Sequence, residues 1–154
     1  MTRIQNKFAW AILTGFCLLA LAVILLRSAS AAPGDTAADR VFGQGGSFTS
    51  ATCNLGGISA SSLCQPLDVA VDAAGNLYVA DTNSRVLEYN TPLTTGTVAG
   101  LVFGQGGSFT TNTPNNGGIS ASSLGDPTAM ALDAAGNLYV ADAGNNRVLE
   151  YDSP

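Results

Sequence analysis

Histidine is absent from the 154 residues, and lysine occurs once, at Lys7. Beyond residue 31 the positive charges are three arginines, which stand against eleven acidic residues, a net charge of −8. Because a nucleic-acid backbone needs several lysine or arginine contacts to neutralise its phosphates, this composition excludes nucleic acid as a partner, and anionic lipid with it. The absence of histidine also excludes activation of a nucleophile by a histidine base.

The N-terminal 31 residues have the pattern of an export signal. Arg3 and Lys7 precede an apolar run at residues 8–26, and small residues follow it up to Ala31 and Pro33. A basic start, an apolar stretch and an Ala-x-Ala site predict a hydrophobic helix in a signal peptide that is cleaved near Ala31. The alternative is an uncleaved membrane anchor, because 19 helical residues nearly span a hydrocarbon core of about 30 Å. Either reading exports the rest of the chain, which begins with a linker at residues 32–40.

The cysteines outside that segment are Cys53 and Cys64. An export signal implies an oxidising compartment, so we expect these two residues to form a disulfide. Two free thiols are the alternative. A metal or redox site is disfavoured because the two cysteines lack a Cys-x-x-Cys spacing and a histidine partner.

The rest of the chain, residues 41–154, is an internal duplication. Asp72–Asp81 returns without change as Asp133–Asp142, and the offset of 61 residues becomes 62 by the time Arg85 returns as Arg147. Cys53 and Cys64 are not repeated, since their counterparts are Pro114 and Gly125. Self-similarity at a fixed period predicts a repeat architecture.

Each repeat reads as short strands joined by tight turns. Leu67, Val69 and Val71 alternate with polar or small residues, which predicts a first strand buried on at least one face. The Asp-Ala-Ala-Gly-Asn segment favours a hairpin turn. Later strands are predicted at residues 77–80, 85–89 and 98–103, with counterparts at 128–132, 138–141 and 147–151. Val41 and Phe42 read as a last strand without the three before it, and residues 47–65 as mostly loop with one helical turn at 58–63.

The segments Pro66–Tyr89 and Pro127–Tyr151 resemble the NHL repeat, and Asp-Ala-Gly-Asn-Asn-Arg-Val at residues 142–148 is the nearer match. The resemblance implies an all-β fold: an incomplete NHL-type β-propeller of about two four-stranded antiparallel blades, preceded by the N-terminal hydrophobic helix. Repeat 1 spans about 66–103 and repeat 2 about 127–151. Such propellers commonly close with six blades, so the chain is expected to be a fragment of a longer array. Assembly of several copies into one ring is the alternative.

The charged and turn residues of the repeat are predicted to be structural. The aspartates cap turns, the glycines supply the turn conformation, and each arginine pairs with the aspartate before it. One carboxylate in each turn is a poor calcium site. These structural residues are Asp72, Gly75, Asp81, Arg85, Asp133, Gly136, Asp142 and Arg147.

The function expected from these observations is a secreted or cell-envelope scaffold that binds a protein, peptide or glycan through loops at the propeller faces. No catalytic residue, cofactor or metal site is predicted. Lyases of the NHL type rely on histidine-bound metal, which this sequence cannot supply. Two alternatives remain: a propeller enzyme, lyase or lactonase-like, with its catalytic residues on other blades, and the sensor ectodomain of a receptor anchored by residues 8–26. Further blades in the same chain, or self-association, are the expected partners of the propeller itself.

Overall fold

The computed structural model describes residue 34 and residues 36–154. The predicted N-terminal helix and its cleavage site lie outside these residues. The described part forms seven β-strands and one single-turn α-helix: β1 (Pro66–Val71), β2 (Leu77–Asp81), β3 (Arg85–Tyr89), α1 (Pro92–Thr95), β4 (Leu101–Gly104), β5 (Pro127–Leu132), β6 (Leu138–Asp142) and β7 (Arg147–Tyr151). Three short 3-10 turns lie at Gln44–Gly46, Gln105–Gly107 and Ala143–Asn145.

The strands form two antiparallel sheets, which follow the sequence repeat. The first sheet has the order β1-β2-β3-β4 and the second the order β5-β6-β7. Both keep the same register, since Leu77 lies opposite Tyr89 and Leu138 opposite Tyr151. The prediction of a mostly β, antiparallel architecture is therefore confirmed for the described residues.

The core between the two sheets is built from one face of each. Tyr78, Ala80 and Val86 of the first sheet pack against Leu138 and Val140 of the second, and all five side chains are buried. These positions alternate along their strands, which places them on a single face of each sheet. The repeated sequence therefore buries apolar surface by stacking one repeat on the next.

A second core lies on the other face of the first sheet. Val79, Leu87 and Tyr89 pack there against Leu63 of the connecting segment. Phe42 joins this core through an edge-to-face contact with Tyr89, with ring centroids 5.0 Å apart. Phe103 and Tyr151 repeat the same contact at 4.8 Å. The segment that precedes each sheet thus covers the face that points away from the following sheet.

Four details differ from the sequence predictions. The strand predicted at residues 98–103 begins at Leu101, because Ala99 donates its N–H to Ala60 of the connecting loop and not to the sheet. The helical turn predicted at residues 58–63 is a series of bends and turns. Residues 41 and 42 are not a strand, since a strand requires a partner edge. The last difference concerns the outward side of β1.

The apolar residues of β1 lie on its open side and not in a core. Leu67 is 44%, Val69 61% and Val71 62% exposed. Their counterparts Met130 and Leu132 on β5 pack against the core between the sheets. The prediction of a buried Leu67-Val69-Val71 face was wrong for the described residues, because β1 has no preceding sheet there to cover it.

Candidate functional site

An arginine and an aspartate lock one end of the first sheet. Arg85 is fully buried, and its Nε donates to Asp81 Oδ1 at 3.3 Å. Its two terminal nitrogens donate to backbone carbonyls of the loops on either side, those of Ser59, Ser62 and Phe109. The guanidinium therefore joins the first sheet to the segment before it and to the segment after it.

The second sheet has the same ion pair in a more open setting. Arg147 Nε donates to Asp142 Oδ2 at 2.9 Å, and its side chain keeps 24% exposure. Burial alone would raise the pKa of Asp142, but hydrogen bonds from Asn145, Gly125 and Arg147 outweigh it and lower that pKa below its usual value. The carboxylate is therefore ionised at neutral pH and stabilises the turn.

Asparagine pairs fasten the connecting segments at the same end. Asn54 and Asn83 exchange two side-chain hydrogen bonds of 2.9 Å each. Asn115 and Asn145 exchange the equivalent pair at 2.9 and 2.6 Å. Since these amides bond to one another and to the aspartates, this end of the sheets is a structural clamp and not an open binding surface.

The disulfide adds a covalent fastening to the first repeat alone. Cys53 and Cys64 are joined, with Cα atoms 4.5 Å apart and a sequence separation of 11. A bond of this kind indicates an oxidising compartment. It closes the connecting segment next to a cavity of about 400 Å³ that Phe42, Leu63 and Pro66 help to line.

The opposite end of the sheets carries the two Asp-Asn turns. Asp72 accepts hydrogen bonds from the backbone and side chain of Asn76, both at 2.8 Å. Asp133 accepts the same pair from Asn137 at 2.9 Å. The turns need a glycine, because Gly75 and Gly136 take φ values of 89° and 90° that other residues adopt at a cost.

Both turn carboxylates are ionised at neutral pH. For Asp133 the hydrogen bond from the Asn137 N–H leads in lowering the pKa below its usual value. For Asp72 burial would raise the pKa, but hydrogen bonds from Asn76 and its neighbours outweigh that effect and lower it. The two repeats thus present two rigid, negatively charged turns on one side of the molecule.

A cleft of about 280 Å³ separates these two turns. Its walls come from the first turn, at Asp72, Ala74 and Asn76, and from the second, at Ala135 and Gly136, and the segment after β7 at residues 153 and 154 completes the lining. Clefts between repeated elements are common ligand sites, since polar groups there point at a shared volume. This cleft is the candidate binding site that the described residues offer.

A buried glutamate behind the first turn was missed by the sequence reasoning. Glu88 is 1% exposed. Burial, with the charge of Asp72 as a smaller contribution, raises its pKa above the usual value. Burial, together with the charge of Glu88, raises the pKa of Tyr78 to about 12. Alternation along β3 places Glu88 on the same face as Val86, which was the available signal.

The structure brings together four aspartates and two arginines in the places that the sequence predicted as turns and ion pairs. Asp81 with Arg85 and Asp142 with Arg147 form the clamps, while Asp72 and Asp133 form the turns at the other end. Within residue 34 and residues 36–154, no three histidine, cysteine or acidic side chains are grouped so as to hold a metal ion. In the same residues no helix is long and apolar enough to cross a membrane.

Two antiparallel sheets of repeated sequence, stacked face to face, define a repeat protein of the β-propeller type. The family model for the NHL repeat matches the chain twice, at residues 63–85 and 124–151. These two matches show that the chain carries NHL repeats. A search of curated proteins finds no match to it.

Proposed function

We propose that this chain is an exported, non-enzymatic NHL-repeat scaffold that binds a protein, peptide or glycan at the end of its sheets that carries the two Asp-Asn turns. The observation that carries the proposal is the cleft between Asp72 and Ala135. Its two walls are equivalent turns of successive repeats, so an array of such repeats presents the same polar groups at regular intervals.

The chemistry of the cleft fits a ligand with several hydrogen-bond donors. Ionised carboxylates accept hydrogen bonds from hydroxyl and N–H groups. Asp72 lines the cleft and already holds its own turn, so a ligand meets a carboxylate fixed in position, and less conformational freedom is lost on binding. Sugar hydroxyls and the N–H groups of a peptide both meet this requirement.

A binding role is favoured over catalysis because the buried polar side chains at the clamp end of the first sheet are already engaged in holding the structure together. Asp81, Arg85 and Asn83 bond to one another and to the connecting segments, which makes them a clamp. The chain has no histidine for general base or metal-ligand work. The disulfide and the N-terminal signal pattern support export, with anchoring by residues 8–26 as the alternative form.

The test is a ligand screen on peptide and glycan arrays with a variant that fills the cleft. Ala74→Trp places an indole in the cleft and should abolish binding. Ala143→Trp is the matched control, because Ala143 is equally an exposed turn residue but lies at the clamp end. Binding that survives Ala74→Trp, or arrays on which the folded protein retains nothing, would overturn the proposal.

A further inference from the structure

The second sheet exposes a copy of the face that the first sheet buries. Val86 is 0% exposed in the core between the sheets, and its counterpart Val148 is 64% exposed. Tyr139 and Ala141 lie on the same open face, where a shallow cavity of about 220 Å³ is also lined by Val148. The open face therefore has the shape and chemistry of a surface that the chain already covers elsewhere.

The covering surface is also present, at the other end of the molecule. In the core between the sheets, Met130 and Leu132 of β5 pack against the first sheet. Their counterparts on β1 are Val69 and Val71, which are 61% and 62% exposed. The chain thus carries the apolar part of both halves of its internal interface a second time, one half at each end.

We propose that a second copy of this chain docks head to tail, so that the Val69 and Val71 face of one copy covers the Ala141 and Val148 face of the other. In the same contact, residues 40–43 of the first copy add as a fourth strand to the edge of β7 in the other. We call this arrangement the head-to-tail contact. It is an interaction of the chain with itself and does not rest on the ligand proposed above.

The strand addition follows the register of the first sheet. There, β4 pairs with β3 so that Val86 lies opposite Phe103 and Glu88 opposite Leu101. Residues 40–43 repeat β4 as Arg-Val-Phe-Gly in place of Leu-Val-Phe-Gly, and β7 is the edge strand of its sheet. An exposed edge strand is a ready template for a further strand.

The same register brings opposite charges together in the head-to-tail contact. On β7 it places Phe42 opposite Val148 and Arg40 opposite Glu150. Opposite charges directly across an antiparallel pair are favourable. The residue that differs between the two strands, Arg40 in place of Leu101, is the one that meets a glutamate. Arg40 is exposed at the surface, where it donates to the Leu93 carbonyl.

Gln44, which directly follows residues 40–43, makes one of the three hydrogen bonds that its counterpart Gln105 makes. Gln105 is buried, and its Nε2 donates to the carbonyls of Thr113, Asn83 and Ser84. Gln44 occupies the equivalent place and donates to Thr52, the counterpart of Thr113. The two remaining acceptors would be the carbonyls of Asn145 and Asn146 in the docked copy.

The last residue to consider in the head-to-tail contact is Phe48, the counterpart of Phe109. Phe109 packs on the second core, and its carbonyl accepts from Arg85. Phe48 is the equivalent residue and is 60% exposed, while Arg147, the equivalent arginine, is the one that stays partly open. The head-to-tail contact places Phe48 next to Arg147 of the other copy. A single placement therefore gives residues 40–43, the Val69 and Val71 face, Gln44 and Phe48 the same kinds of contact that their counterparts make within one chain.

The first experiment measures association of the full chain by sedimentation and light scattering over a concentration series. We expect species at integral multiples of the chain mass, because head-to-tail contacts form rings or open chains. Val148→Lys buries an unpaired charge in the contact and should weaken association by at least about a hundredfold. Val98→Lys is the matched control, since Val98 is also 64% exposed and lies outside the contact; it should associate as the unaltered chain does.

The second experiment tests the register by charge reversal. Arg40→Glu and Glu150→Arg should each weaken association by about threefold to tenfold, because each creates a like-charge pair. An equimolar mixture of the two variants should associate more strongly than either variant alone, since each contact between unlike variants regains one glutamate and one arginine. Recovery on mixing is specific to a contact that joins the head of one copy to the tail of another.

Three results would overturn the proposal. One is an unaltered chain that stays monomeric across the concentration series. Another is equal association of the Val148→Lys and Val98→Lys variants. The last is a natural product that is monomeric and heavier than the encoded chain, which would assign the open face to a further repeat of the same polypeptide.

Discussion

The two sheets have nearly the same sequence and very different surroundings. Their third strands are identical, Arg-Val-Leu-Glu-Tyr in both β3 and β7. All five residues are buried in β3, whereas in β7 they alternate between half-buried and exposed. Since the residues are the same, the difference comes from the neighbours: β3 has β4 at its edge and a packed surface on both faces.

This comparison shows where the stability of the repeat resides. A single repeat holds its turns and its ion pair by itself, as the Asp142–Arg147 pair demonstrates. Burial of its apolar face and protection of its edge depend on the next repeat. Substitutions at equivalent positions should therefore change the stability of the protein by unequal amounts. Two pairs of equivalent substitutions, and two changes confined to the first repeat, test this expectation.

The largest difference is expected at the arginines. Arg85→Ala leaves the buried Asp81 carboxylate without its paired cation and removes a donor from three backbone carbonyls, so it should lower the free energy of unfolding by about 3–5 kcal/mol. Arg147→Ala removes a partly exposed side chain and should cost about 1–2 kcal/mol. Urea unfolding at low protein concentration gives both values. Equal costs would mean that the following repeat contributes nothing to the arginine site.

The disulfide provides a second test of the difference between the two repeats, because it belongs to the first repeat alone. Replacing Cys53 and Cys64 with serine should lower the free energy of unfolding by about 2–3 kcal/mol, mainly through the larger freedom of the unfolded chain. The measurement is urea unfolding of the double variant beside the oxidised protein. Reduction of the unaltered protein is the internal control, and it should give the same loss. No change in either experiment would show that the connecting segment is held without the bond.

A smaller difference is expected at the valines. Val86→Ala removes two buried methyl groups from the core between the sheets and should cost about 2 kcal/mol. Val148→Ala alters an exposed position and should change the stability of the monomer by less than about 0.5 kcal/mol. Thermal unfolding at low concentration compares the two. Similar losses would mean that Val148 is covered in the isolated chain.

The smallest effect concerns the pH dependence of Glu88. Because burial raises its pKa above the usual 4.5, the folded state holds that proton more tightly than the unfolded state. Stability from this group is therefore present at low pH and is lost as the pH rises above about 4.5. Glu88→Gln should remove that loss. If urea midpoints from pH 4 to 7 follow the same slope in both proteins, Glu88 is not the group responsible.

Much of the fold was readable from the sequence because the repeat fixes it locally. The segments predicted as strands at residues 77–80 and 85–89 lie between turn sequences such as Asp-Ala-Ala-Gly-Asn, which are short-range signals, and the strands are found there. The pairing of Asp81 with Arg85 is also local, since four residues separate them. The disulfide could be anticipated from the joint presence of Cys53 and Cys64 in one repeat.

What the sequence did not predict depends on contacts between distant segments. Whether Val69 is buried depends on a preceding sheet that packs against β1. The local sequence pattern does not show whether such a sheet is present. The asparagine pair of Asn54 and Asn83 joins residues 29 apart, and the cleft beside Asp72 exists because two turns 61 residues apart lie next to each other. Polar side chains in Gly- and Ser-rich segments have too many possible partners for such pairs to be read from spacing alone.

Hydrogen exchange of β3 and β7 tests the central claim most directly, because the two strands have the same five residues and closely similar intrinsic rates. At a concentration low enough to keep the chain monomeric, the amides of Arg85–Tyr89 should exchange at least about a hundredfold more slowly than those of Arg147–Tyr151. Equal rates for the two segments would contradict the account, since they would show that the neighbouring repeat does not decide how well a strand is protected.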